Sequence, residues 1–267
     1  MPKRSTALLI ACLFCCIVLP CNARHVTLLL AADMPDISSP YSGRYAELKH
    51  LLDQQREKKT PLFFIFGGGS LGPSAMASFD RGSHIIDILN SLEPDVMTVT
   101  KREFSYFEDE LSLRAYEAAF PLVASNVIDK RFNAPLNELV TTAIIEKQGV
   151  KLGVISLLNE RVIDEYLLQH IALLDPLITA QNSAQQLKEQ GADIILLHYS
   201  YPFDFVSSLL DENVIDIALM SDNRLKEKGH GFTPHKKTLV LDESGMAVVA
   251  NVAINNSNVE LESVQSY

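Results

Sequence analysis

The sequence predicts an α/β fold with a β-rich C-terminal end, and three observations carry that expectation. From residue 25 onward, apolar runs of strand length alternate with amphipathic stretches of helix length. Those runs are apolar throughout rather than at every second residue, the pattern of strands buried on both faces of a largely parallel sheet. Beyond residue 235 the helical stretches stop, and KKTLVLDE, GMAVVANVAI and NVELESV follow one another as strands.

HVTLLLAA reads as the first buried strand, ending at Asp33. RYAELKHLLDQQREKK places Tyr45, Leu48, Leu51 and Leu52 on one helical stripe. PLFFIF is a second buried strand and runs directly into GGGSLGPS. SHIIDILNSLE is a helix, DVMTVT a third strand ending at KREF, EDELSLRAYEAA a helix and PLVAS a strand. TTAIIEK and KLGVISLL make a hairpin around Gln148-Gly149-Val150. DPLITAQNSAQQLKEQG is a helix stopped by Gly191, and FDFVSSLLDE is a helix between the buried strands DIILLHY and VIDIALM. With no repeat, low-complexity tract or linker, residues 24 to 267 are expected to form a single domain.

At 267 residues, 47% hydrophobic and 21% charged, the chain can bury one large core. A net charge of −10 with no basic run argues against a nucleic-acid partner. At the N-terminus, Lys3 and Arg4 precede ALLIACLFCCIVLP, and Cys21-Asn22-Ala23 offers small residues for cleavage. Residues 1 to 23 therefore read as an export signal to a bacterial periplasm, its apolar core shorter than the roughly 20 residues of a membrane span. Cleavage would leave no transmembrane span. All four cysteines (Cys12, Cys15, Cys16 and Cys21) fall in this segment, so the mature chain would carry no disulfide and no catalytic thiol. Val18-Leu19-Pro20-Cys21 loosely follows a lipoprotein cleavage site, which makes a lipid-anchored or N-terminally anchored form the alternative.

The loop GGGSLGPS fits two phosphate motifs on paper. Gly67, Gly69 and Gly72 satisfy G-x-G-x-x-G, but after the second strand rather than the first, and Pro73 interrupts the turn where a helix should open. Gly67 and Gly72 also satisfy the P-loop frame, with Pro73 in place of its lysine. Neither reading holds. In open α/β sheets the functional groups gather beyond the carboxyl ends of strands. Besides the glycine loop, those positions carry Asp33-Met34-Pro35-Asp36, Thr100-Lys101-Arg102-Glu103, His198-Tyr199-Ser200 and Ser221-Asp222-Asn223-Arg224.

In the order VTLLLAADMPD, SGRYAELKHLLDQ, PLFFIFGGGSLGPS, HIIDILNSLEPDVMTVTKREFSYFEDEL, FPLVASNV, GVKLGVISLL, DPLITAQNSAQQLKEQGADIILL and NVIDIALMSDN, the chain resembles the catalytic domain of the calcineurin-like metallophosphoesterases. Within them it is similar to bifunctional metallophosphatases and 5′-nucleotidases, nearest to the UshA-like (seleno)protein group. The resemblance implies a two-sheet sandwich flanked by helices, phosphate-ester hydrolysis as the ancestral activity, and two metal ions. It also marks what has changed. The bridging carboxylate of the second strand falls on Gly69, after Gly68; the first-strand Asp-x-His box keeps Asp33 and loses its histidine to Pro35. The Gly-Asn-His-Glu box reads Thr100-Lys101-Arg102-Glu103, without the ligand Asn or the catalytic His. A ligand histidine belongs near Ser200, where His198 sits two residues early, and the Gly-His-x-His box reads Ser221-Asp222-Asn223-Arg224.

Two-metal hydrolysis needs both ions held close together, and this many losses predict that the dinuclear centre is gone. The expected function is then that of an exported pseudoenzyme binding a phosphorylated or anionic small molecule, with no cofactor. Lys101, Arg102 and Arg224 would supply positive charge, with Gly68, Gly69 and Glu103 around them. Pairing of those cations with Asp33, Glu103 and Asp222, merely to hold a retired pocket together, is the structural alternative. A second functional reading brings Asp33, His198 and Asp222 around one divalent ion, manganese or zinc, in a weak phosphomonoesterase. A third makes the scaffold a structural or partner-binding surface, its protein partner unnamed by the sequence. The C-terminal domain that holds the nucleobase in 5′-nucleotidases is expected to be missing, so nucleotide specificity does not carry over.

Overall fold

The computed structural model describes residues 23–35, 37, 44–221, 234–241, 246–255 and 258–267. In chain order the elements are β1 (Arg24–Ala31), α1 (Arg44–Arg56), β2 (Leu62–Phe66), α2 (Ala77–Asp80), α3 (Ser83–Leu92) and β3 (Val96–Thr98). A 3-10 helix (Lys101–Tyr106) leads into α4 (Phe107–Glu117), then β4 (Leu122–Val123), β5 (Val127–Asp129), β6 (Ala134–Pro135), β7 (Ala143–Lys147) and β8 (Val150–Leu157). There follow α5 (Arg161–Glu165), β9 (Ile171–Leu173), α6 (Pro176–Glu189), β10 (Ile194–Tyr199), α7 (Val206–Asp211), β11 (Ile217–Met220), β12 (Thr238–Val240), β13 (Ala247–Asn255) and β14 (Asn258–Ser266).

Two large sheets form, in the orders β14-β13-β1-β2-β3-β4 and β12-β11-β10-β8-β7, with a small third sheet β6-β5-β9. They stack face to face. Leu28, Leu30, Phe63 and Ile65 of the first sheet share one buried cluster with Leu152, Val154, Leu196 and Leu219 of the second. The opposite residues of the same strands face helices. Leu29, Phe64 and Phe66 pack under α1, α3 and α4, whereas Ile155, Leu197 and Tyr199 pack under α6 and α7. This is why the strands read as unbroken apolar runs: successive side chains point to opposite faces, and here both faces are dry.

The β-rich end is the rim of these sheets. β13 runs antiparallel to β1 and to β14, closing one edge of the first sheet. β12 instead joins the second sheet, parallel to β11. The hairpin β7–β8 is tighter than its sequence suggests: Lys147 pairs with Val150, so the loop is Gln148-Gly149 alone. Both residues have positive φ, 50° and 77°, as a two-residue hairpin loop requires. The helix before Gly191 begins with Asp175, whose Oδ1 accepts from the Ile178 N–H at 2.8 Å, followed by Pro176 in the first turn.

All these connections place the carboxyl ends of β1, β2, β3, β10 and β11 at one end of the sandwich. The candidate residues lie there because the parallel strands run the same way.

Candidate functional site

The site is built around the glycine loop. Beyond β1 the chain turns at Asp33 with φ 55°, and the Asp33 N–H donates to Gly68 O at 2.8 Å. Gly68 and Gly69 have φ of +67° and +81°. A Cβ on Gly68 would lie 2.5 Å from Thr98 O, and one on Gly69 would lie 2.7 Å from Asp33 Oδ1. Backbone conformation demands glycine at both positions, and at Gly68 the Thr98 carbonyl oxygen leaves no space for a side chain either.

Glu103 holds the loop in that shape. It is 3% exposed; its Oε1 accepts from the N–H of Gly69 at 2.7 Å and of Ser70 at 3.1 Å. Its Oε2 accepts from the Thr100 N–H at 2.8 Å and the Thr100 hydroxyl at 2.7 Å, a capping box on the 3-10 helix. Burial pushes its pKa above the usual glutamate value, against the pull of those hydrogen bonds. Glu103 therefore sits beneath the loop with both oxygens engaged by the protein, rather than at the surface where a ligand would meet it.

The same short helix aims two cations outward. Arg102 Nη1 lies 3.2 Å from Asp33 Oδ1 and donates to Gly69 O at 3.4 Å. Lys101 Nζ donates to Glu165 Oε2 at 2.8 Å, so its partner is a residue the sequence reading did not name. Asp33, Gly68, Gly69, Thr100, Lys101, Arg102, Ser200 and Ser221 line a small open hollow between the ends of the two sheets.

From the second sheet, β10 turns His198 inward, on the same face as Ile194 and Leu196, and buries it completely. Its Nε2 is 2.9 Å from Ser221 Oγ and its Nδ1 is 3.5 Å from Ser156 Oγ. The Ser156 hydroxyl donates to Val99 O at 3.2 Å, which assigns the ring proton to Nδ1 and leaves Nε2 accepting from Ser221. Burial depresses the His198 pKa to about 3, so the ring is neutral at pH 7. Ser221 lines the hollow; His198 lies behind it.

Asp33, Lys101, Arg102, Gly68 and Gly69 are thus brought to one hollow, with Glu103 under its floor and His198 behind its wall. Asp222 and Arg224 lie outside the described residues. Among the described residues, no group of three or more His, Cys, Asp or Glu side chains is arranged to hold a metal ion. Sequence reasoning missed the loop-organising work of Glu103, although Thr100-x-x-Glu103 is a capping-box spacing. It also missed Ser156 and Ser221 as partners of His198, for which no sequence signal exists.

The stacked sheets, their flanking helices and this cluster of strand ends make up the calcineurin-like metallophosphoesterase fold. Among solved structures, the calcineurin-like phosphoesterase YfkN from Bacillus subtilis superposes with a TM-score of 0.72 at 17% identity, over 92% of this chain and 90% of that one. The Haemophilus influenzae NAD nucleotidase (NadN) gives 0.71 at 16% identity, over 92% and 56%. A 5′-nucleotidase precursor from Thermus thermophilus gives 0.69 at 17%, over 91% and 54%. By sequence, the chain is 29% identical over 135 residues to a Haemophilus influenzae 2′,3′-cyclic-nucleotide 2′-phosphodiesterase/3′-nucleotidase, covering 46% of this chain and 20% of that protein. The Salmonella typhimurium protein of the same description is 28% identical over 138 residues, covering 47% and 21%. The matched stretch is about one fifth of the length of these curated relatives. No protein-family profile matches the chain.

Proposed function

We propose that this protein is an exported metallophosphatase-fold pseudoenzyme whose strand-end hollow binds a phosphorylated or anionic small molecule. One observation carries the reading: the carboxylate of Asp33 meets the guanidinium of Arg102 at 3.2 Å. By resemblance Asp33 is a metal ligand, so an internal cation now stands against the group that a metal ion would neutralise. The described residues do not fit a dinuclear centre. Gly69 sits at φ +81°, where any side chain is strained, with Asp33 Oδ1 against it, and His198 presents Nε2 to Ser221 rather than to Asp33.

Among the described residues, Arg102 makes its two contacts through Nη1, which leaves the rest of its fork to an anion, with Lys101 beside it. Phosphate is the favoured chemistry because the similar proteins are named for nucleotide and phosphoester hydrolysis. Residues 24–267 are taken as one domain, with residues 1–23 as its export signal. No helix among the described residues is long and apolar enough to cross a membrane.

Calorimetric titration of chelator-treated protein with inorganic phosphate tests the proposal. Saturable binding that is weakened at least tenfold by Arg102→Ala is expected. No heat with phosphate, or a phosphatase rate that appears with manganese or zinc and vanishes in Asp33→Ala, would overturn it in favour of a working metal site.

A further inference from the structure

Ser221, on the second sheet's side of the hollow, has its proton already committed. The hydrogen bonds behind it run one way. Ser156 donates to Val99 O at 3.2 Å, so it accepts from His198 Nδ1 and leaves Nε2 as an acceptor. Ser221 Oγ, 2.9 Å from Nε2, therefore donates to the ring. The glycine loop encloses that nitrogen from the other side, since a Cβ on Gly67 would stand 3.6 Å from it. His198 is fully buried, so it influences the hollow through Ser221, which lines it.

A hydroxyl has one proton and two lone pairs. With the proton spent on His198, Ser221 offers the hollow lone pairs alone. The Asp33 carboxylate, from the first sheet, is an acceptor as well, and the Thr100 hydroxyl donates to Glu103 at 2.7 Å. Among the described residues lining the hollow, the positive charge comes from Arg102 and Lys101. An anion drawn in by those cations meets, at Ser221, a group that can only accept.

Resting on the anion-binding reading above, we infer that Ser221 selects a tetrahedral oxyanion that still carries a proton, hydrogenphosphate or hydrogenarsenate, over fully ionised anions such as sulfate or the dianion of a phosphate ester. The O–H of the anion donates to Ser221 while its charged oxygens face Arg102 and Lys101. An anion without a proton sets lone pair against lone pair there, and a desolvated acceptor left without a donor is costly enough to decide between ligands of equal charge. His198 is a positioning residue: it acts by holding the Ser221 proton away from the hollow.

Calorimetry of the metal-free protein near pH 8.5 with inorganic phosphate, sulfate and monofluorophosphate tests this. All three are tetrahedral dianions under that condition, and phosphate alone keeps an O–H. Phosphate is expected to bind at least about tenfold more tightly than either of the others. Ser221→Ala removes the acceptor, and His198→Phe frees the Ser221 proton to donate. Each should bring the ratio close to one, so a variant that does not fold leaves the other to decide. Equal affinities for the three anions in the wild type would overturn the proton selection and leave the anion site standing. A wild-type ratio that survives both substitutions would overturn the assignment to Ser221. No binding of any probe would remove the anion site and this inference with it.

Discussion

The two sheets meet the hollow with opposite chemistry. The first sheet brings charge: Asp33 and Arg102 face each other across the glycine loop, and Lys101 reaches Glu165. Among the described residues at the hollow, the second brings neutral groups: Ser200, the largely buried Ser221 and, behind them, a histidine that burial keeps uncharged. The difference is one of solvent. Arg102 and Asp33 are each about one-third exposed, so water solvates the pair. His198 is wholly enclosed, where an unpaired imidazolium would cost several kcal/mol. Two neighbouring strand ends can therefore carry unlike chemistry, because a few ångströms of depth decide which groups ionise.

The largest expected effect breaks the charged side from below. Glu103→Ala strips the acceptor from the N–H groups of Gly69, Ser70 and Thr100, and should cost about 3–5 kcal/mol in urea unfolding, with three buried donors left unsatisfied at about 1–3 kcal/mol each. A loss below about 1 kcal/mol would mean that the loop keeps its shape without Glu103.

Next in size is Gly68→Ala. A Cβ 2.5 Å from Thr98 O, on a backbone with φ +67°, should cost about 2–3 kcal/mol in the same measurement. The neighbouring Gly69→Asp should strain the loop similarly and bring no metal-dependent phosphatase rate. A manganese-stimulated rate in that variant would show that the loop can reopen to receive a bridging carboxylate.

The neutral side is sharpened by pH. The His198 pKa falls from about 6.5 in the unfolded chain to about 3 in the fold, so between those values unfolding takes up a proton. The stability associated with neutral His198 is complete above about pH 6.5. It drains on acidification by at most about 1.4 kcal/mol per pH unit until about pH 3. Urea unfolding of wild type and His198→Asn at pH 7.5 and 5.0 should show the wild type losing roughly 2 kcal/mol more. Parallel losses would place the titration elsewhere.

The smallest effect on stability belongs to Arg102→Ala. A partly exposed ion pair contributes about 0–1 kcal/mol, so unfolding should barely change while phosphate binding falls at least tenfold. If stability falls by several kcal/mol instead, the pair is structural cement for the hollow.

The order of strands and helices was legible because each buried segment carries a local signature. Unbroken apolar runs such as LFFIF mark strands with two dry faces, and the stripe of Tyr45, Leu48, Leu51 and Leu52 marks one side of a helix. Asp175-Pro176 and Gly191 mark the ends of α6 for equally local reasons. The pair-by-pair departures from the metallophosphoesterase boxes were also visible in the residues themselves. The joining of β12 to the second sheet was not, since a strand's partner lies far away in sequence and leaves no periodicity behind.

The sequence by itself determined which groups stand at the strand ends, because alternation and strand length place them there whatever the packing. Only the tertiary structure decided what each group does. Glu103 turns under the loop because the N–H groups of Gly69, Ser70 and Thr100 converge on it. His198 is neutral because it faces inward between the sheets and the first sheet closes over it. Arg102 faces Asp33, and Lys101 faces Glu165 of a distant helix, across distances set by two sheets meeting. Ionisation and pairing depend on solvent access and on groups far apart in the chain, and both come into being only when the sandwich forms.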